Sequence, residues 1–207
     1  MPTSVKNLIE NFNLSPAKSV KWNEIPTTEQ EGVYIVSLSN NPEKNNGIQK
    51  SAPISKDIIK KWIAKVDGFE LDKINTFNSD KIIKRLSEFW LPDENILYIG
   101  KASKRKRGSG IATRVNEYYR TDYGEKSPHA GGHWLKSLSI LNELSVFYSP
   151  CENSGKVEED MLKFFCNNVS EETKINLRDS NLPLPFANLR LKIGQDKNHG
   201  LFKMKIK

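Results

Sequence analysis

Two apolar runs constrain what this chain can fold into. In the first, Gly32-Val33-Tyr34-Ile35-Val36-Ser37-Leu38, the residues Val33, Ile35 and Leu38 fall among small neighbours and the run stops at Asn40-Asn41-Pro42. In the second, Ile96, Leu97, Tyr98 and Ile99 are halted by Gly100. Each reads as a half-buried strand holding one tyrosine, and residues 144–148, ended by Pro150, read as a third. The expectation is an α/β (α+β) fold: a small three-stranded sheet, mixed or antiparallel, flanked by helices.

The helices come from apolar spacing. Residues 55–66 place Ile58, Ile59, Trp62, Ile63 and Val66 opposite Lys56, Lys60, Lys61 and Lys65; residues 79–90 place Ile82, Ile83, Leu86, Phe89 and Trp90 opposite Lys81, Lys84 and Arg85. Together they make residues 40–95 a helical insertion between the first two strands. Further helices are expected at residues 4–12, with Ser4 as cap and Val5, Leu8, Ile9 and Phe12 on one face, at 111–119, from His133 onward, and at 154–167. Trp22 and Ile25 are expected to cover the sheet edge. At the carboxy-terminal end, residues 201–207 alternate apolar and lysine side chains, a strand pattern expected to pair as a hairpin with residues 189–193.

With 207 residues and 37% hydrophobic content the chain can bury one substantial core, and a single domain spanning 1–207 is the simplest organisation. The net charge of +7 favours polyanionic partners while remaining compatible with ordinary surface chemistry. Cys151 and Cys166 share no metal-ligand spacing with His129, His133 or His199, so neither a zinc site nor a disulfide framework is indicated. No apolar run reaches bilayer length, and Met1-Pro2-Thr3-Ser4 lacks a charged-then-apolar leader; a cytoplasmic protein without membrane partners is expected.

Cleaving a phosphodiester requires an oriented and deprotonated water, a cation beside the phosphorus oxygens and help for the departing alkoxide. Tyrosine, arginine, lysine and a metal-holding carboxylate supply those needs. A lone strand tyrosine is ordinary, and so are a helix arginine and a first-turn acid. What distinguishes this chain is the order in which they occur. Gly32-Val33-Tyr34 follows Trp22 and Ile25-Pro26, Tyr98-Ile99-Gly100-Lys101 follows later, and Arg114 precedes Tyr118 by one helical turn. Glu158-Glu159-Asp160-Met161-Leu162 lies on the helix expected at 154–167, and Pro185-Phe186-Ala187-Asn188 comes last.

This series resembles the GIY-YIG nuclease superfamily, over most of the chain and in order, apart from the insertion. The loop between Lys101 and Arg114 is longer than is usual there, and Asn188 arrives later. The resemblance implies a metal-dependent DNA endonuclease that leaves 5′-phosphate and 3′-hydroxyl ends. A self-contained chain is closest to the restriction-enzyme members. It also implies a catalytic set of Tyr34, Tyr98, Lys101, Arg114, Tyr118, Glu158 and Asn188. Tyr34 would be the general base, with Lys101 and the metal environment lowering its pKa. Tyr98 would orient water, Arg114 would neutralise charge at phosphorus, and Tyr118 and Asn188 would fix the scissile phosphate and its neighbours.

One divalent ion, Mg2+ or Mn2+, would be held chiefly by Glu158. Helix geometry prefers it to Glu159, because Val157, Met161, Phe164 and Phe165 mark the buried side and Glu158 lies at that stripe's edge. Lys104, Arg105, Lys106 and Arg107, entering a helix, suit phosphate oxygens. His129 is assigned to DNA contact; His133 is either a helix start or a phosphate ligand. The partner expected is double-stranded DNA, and a homodimer would help cut both strands. Alternatives are a structure-specific or RNA-directed nuclease and a non-catalytic nucleic-acid-binding module on the same fold.

Overall fold

The structure is a computed structural model and describes residues 2–104, 110–125 and 132–204. It is a mixed α/β fold with antiparallel sheets and, among the described residues, seven α-helices. Helix α1 (Val5–Asn11) starts at a capping box, in which Ser4 accepts from the Asn7 amide and the Asn7 side chain reciprocates. Strand β1 (Lys18–Lys21) and strand β2 (Gly32–Ser37) follow.

The insertion then runs through α2 (Lys56–Val66), β3 (Phe69–Leu71), β4 (Ile74–Thr76) and α3 (Ser79–Ser87). Ser55 caps α2 and Asn78 caps α3, the latter accepting from both Asp80 and Lys81. After β5 (Ile96–Ala102) come α4 (Ile111–Arg120), the short α5 (Gly132–Lys136) and β6 (Ser145–Pro150). Helices α6 (Ser154–Asn168) and α7 (Glu171–Ile175) lead to β7 (Arg190–Lys192), β8 (Gln195–Asp196) and β9 (Leu201–Lys203).

The principal sheet has four strands in the order β1-β6-β2-β5, all antiparallel, where the sequence pattern gave three. The added strand is Lys-Ser-Val-Lys, largely exposed, and it joins the sheet by backbone pairing with β6. With one apolar residue it has no alternation to read, and its lysines suit an edge.

Strand β2 lies second from the β5 edge with every residue buried, because it is covered on both faces. Its alternation sorts two cores. Val33 and Ile35 face α1 and α6 together with Ile99, Phe147, Met161 and Phe165; Tyr34 and Val36 face the other way, with Trp62, Leu86, Val115, Tyr118 and Trp134.

Two expectations about smaller elements are corrected. The insertion is not purely helical: β3 and β4 form a hairpin between its helices, with Asp72 and Lys73 in left-handed turn conformation. Nor does the carboxy-terminal stretch close on itself as expected. β7 pairs with β8 around Gly194 (φ 81°), while β9 crosses to β3 and makes a three-stranded sheet, β4-β3-β9. Burial explains the crossing, since Leu201 enters the core and is 6% exposed. Residues 205–207 of the expected strand lie outside the described residues. Trp22 is buried against Tyr118 and Tyr119 (ring centroids 5.8 and 4.8 Å), but Ile25 is 49% exposed and covers no edge.

Among the described residues no helix is long and apolar enough to cross a membrane. Cys151 and Cys166 are both free thiols.

Candidate functional site

Tyr34 on β2, Tyr98 on β5 and Tyr118 on α4 meet on one face of the sheet. Their ring centroids are 5.8 Å apart for Tyr34–Tyr98, 5.2 Å for Tyr98–Tyr118 and 6.2 Å for Tyr34–Tyr118. Register explains the first contact. Tyr34 pairs with Gly100, so its ring lies over a position without a side chain: a Cβ there would stand 2.6 Å from Tyr34 Cζ and 2.5 Å from Tyr98 Cε1. The Tyr118 ring arrives because Ile111, Val115 and Tyr118 form the buried stripe of α4.

Arg114, one turn before Tyr118, is largely buried and pairs with Glu117 at 3.1 Å. Its guanidinium favours the ionised forms of Tyr34, Tyr98, Tyr118 and Glu158. One cation therefore bears on four of the expected site residues.

The opposite face of β5 contributes Lys101, whose Nζ lies 2.7 Å from Glu158 Oε2 on α6. Glu158 also accepts from the Lys101 backbone N–H, so its carboxylate caps the outer edge of β5 and stands where both faces of the sheet can sense it. The rest of that edge is closed by the stretch before β7. Ala187 N–H donates to Leu97 O at 2.9 Å; the Asn188 side chain accepts from Ile99 N–H at 2.9 Å and donates to Ile99 O at 2.7 Å.

Leu97, Ile99 and Lys101 are alternate residues, and antiparallel pairing points all three outward. Asn188 is thus a buried backbone clamp with both amide atoms engaged, not a group presented to a phosphate. Glu159, by contrast, leaves the site and binds Lys163 at 2.5 Å.

Electrostatics separate these groups further. Burial, then the neighbouring phenols, raises Tyr34 well above the ordinary tyrosine range, and Arg114 only partly opposes it. Its ring is 1% exposed, and its hydroxyl has no hydrogen bond of full geometry among the described residues, although Tyr98 is near enough to influence it. The expectation that Lys101 would acidify Tyr34 is not met, because that ammonium is engaged by Glu158. Tyr98 is only partly buried and is pushed up to about 12, by desolvation first and by the Glu158 charge second. Burial also raises Glu158, against Lys101 and Arg114.

Of the residues expected to bind nucleic acid, Lys104 lies among the described residues. Lys104 is exposed beside a groove of about 470 Å³ lined by Glu29, Glu31 and Glu152, and its backbone N–H donates to Glu31 at 3.3 Å, so its surroundings are acidic rather than uniformly basic. Arg105, Lys106, Arg107 and His129 lie outside the described residues. His133 is buried, with Nε2 3.0 Å from Asp122 O and its ring against Trp62 and Tyr123; it holds α5 to the end of α4 and has no phosphate-facing position.

A divalent ion finds one suitable donor here, the Glu158 carboxylate; among the described residues no group of three or more histidine, cysteine or acidic side chains is placed to hold a metal. A single carboxylate fits an ion such as Mg2+, which keeps most of its waters and takes phosphate oxygens. Lys101 stands against the oxygen it would use.

Sequence reading missed Gly155, whose bare α-carbon lies under the Lys101 stem, and Lys197, a buried ammonium that donates to Pro185 O and Phe186 O at 3.0 and 2.9 Å and so holds the clamp. Nothing in the polar stretch around Lys197 marks it. No protein-family model, curated protein or solved structure matches this chain.

Proposed function

We propose that the protein is a phosphodiester hydrolase of the GIY-YIG type, a metal-dependent DNA endonuclease of restriction character acting on double-stranded DNA in the cytoplasm. The observation that carries this reading is the meeting of Tyr34, Tyr98, Lys101, Arg114, Tyr118 and Glu158, drawn from four separate elements, around one end of β5.

Arg114 neutralises charge developing on the phosphorus oxygens, and Tyr98, a partly exposed residue, orients the water that attacks. Held by Glu158, Mg2+ or Mn2+ would add charge neutralisation and a more acidic water. Lys101 binds a phosphate oxygen once released from Glu158. Tyr34 is reassigned: a sealed phenol with a raised pKa is a poor base at neutral pH, so its part is to hold Tyr98 and Tyr118 in place. The products are a 5′-phosphate and a 3′-hydroxyl. A homodimer would cut both strands.

A plasmid assay in Mg2+, in Mn2+ and in chelator tests the proposal. Discrete fragments from the wild type, lost in chelator and lost in Glu158→Ala and Arg114→Ala, support it; cleavage that survives both substitutions removes this site.

A second reading is favoured by the closed Lys101–Glu158 pair, a non-catalytic nucleic-acid-binding module. It predicts salt-dependent DNA binding with no cleavage in either metal.

A further inference from the structure

We propose that Lys101 makes divalent-cation binding at Glu158 conditional on a bound phosphodiester, so that metal and nucleic acid bind cooperatively. This rests on the reading of Glu158 as the metal-holding carboxylate. The 2.7 Å ion pair puts an ammonium on the oxygen that an incoming cation would need, and the backbone N–H of the same residue donates to that carboxylate as well. Arg114 adds positive potential from the far side. A divalent ion approaching the free protein therefore meets a carboxylate already satisfied by a charge of its own sign.

The two halves of the pair differ in freedom. The Glu158 side chain is 17% exposed and fixed on α6, whereas that of Lys101 is 44% exposed on a four-carbon stem. The backbone beneath it does not crowd it: even a Cβ at Gly155 would lie 3.7 Å from Lys101 Nζ, an ordinary van der Waals distance. A phosphodiester changes the balance twice. Its non-bridging oxygens offer Lys101 and Arg114 a new acceptor, and they complete the coordination of an ion that one carboxylate would hold weakly. Drawing the ammonium away frees Glu158. Reciprocity then requires that the metal tighten DNA binding by the same factor.

The test measures Mn2+ binding by electron paramagnetic resonance, with and without a short phosphorothioate DNA duplex that resists cleavage. The duplex alone serves as blank, and thermal melts confirm folding. Wild type is expected to bind Mn2+ at least about 10-fold more tightly with the duplex, within the usual range of coupling between sites. Lys101→Met is expected to bind Mn2+ about 10-fold more tightly than wild type in the absence of DNA, with the duplex then adding less than about 3-fold.

Unchanged or weaker Mn2+ binding by free Lys101→Met overturns the proposal, as does wild-type binding that is indifferent to the duplex or undetectable beside it. Glu158→Gln separates the two ideas: Mn2+ binding that persists in that variant refutes the carboxylate assignment itself, whatever Lys101 does.

Discussion

Gly100 admits no side chain because Tyr34 and Tyr98 already occupy the space above it, at 2.6 and 2.5 Å from where a Cβ would go. Gly100→Ala is expected to destabilise the protein by about 1–3 kcal/mol, the usual cost of overpacking, and to disturb the tyrosine cluster, read as a shifted near-ultraviolet dichroism. Tyr34→Phe is the opposite case. Its hydroxyl is buried without a full hydrogen bond among the described residues, so removal should leave unfolding free energy within about 1 kcal/mol. For the proposed nuclease, a holding role predicts less than about a tenfold fall in rate, whereas a general base would cost on the order of 10²-fold or more. That Tyr34, Tyr98, Arg114 and Glu158 lie near one another was expected from their order along the chain. Their surroundings were not: whether a strand tyrosine is sealed depends on α4, which approaches from a distant part of the chain.

The edge of β5 is where elements decide the site. A strand edge needs partners for its outward N–H and C=O groups, and here a turn and a helix side chain supply them in place of another strand. Asn188→Ala would strand both buried backbone groups of Ile99. The expected loss is about 2–3 kcal/mol, with faster hydrogen exchange at the Ile99 amide, and Asn188→Asp should recover only the acceptor half. An Ile99 amide whose protection is unaltered by Asn188→Ala would show the clamp to be dispensable.

Legibility at this scale followed pattern strength. β2, β5, α2, α3 and α6 carry apolar spacing that only one geometry satisfies, so they were legible. β1, the β3–β4 hairpin and the crossing of β9 to β3 rest on backbone pairing over three or four residues, which leaves little trace in side-chain order.

Across the whole molecule, buried ionisable groups set how stability responds to pH. Glu94, 2% exposed and bound to the Thr3 amide, is raised from 4.5 to about 7 by burial. The native state holds that proton more tightly, so its contribution is complete below pH 4.5 and is lost as pH rises through 7. The amount is on the order of 3 kcal/mol. His199 runs the other way: burial lowers it from 6.5 to about 4, so stability rises as pH climbs between those values. Buried Lys197, lowered from 10.5 to about 7, adds a second rise, from 7 to 10.5. Melts of Glu94→Gln should therefore reveal the increase between pH 4 and 6.5 that Glu94 offsets in the wild type. A Glu94→Gln profile parallel to the wild type would refute the assignment.

Because Ala187 and Asn188 close an edge laid down at Ile96–Ala102, a growing polypeptide carries an unfinished sheet until synthesis has passed those later residues. For the proposed nuclease, a chain released before those residues would lack the brace on Leu97 and Ile99, the neighbours that flank Tyr98, and is expected to be inactive.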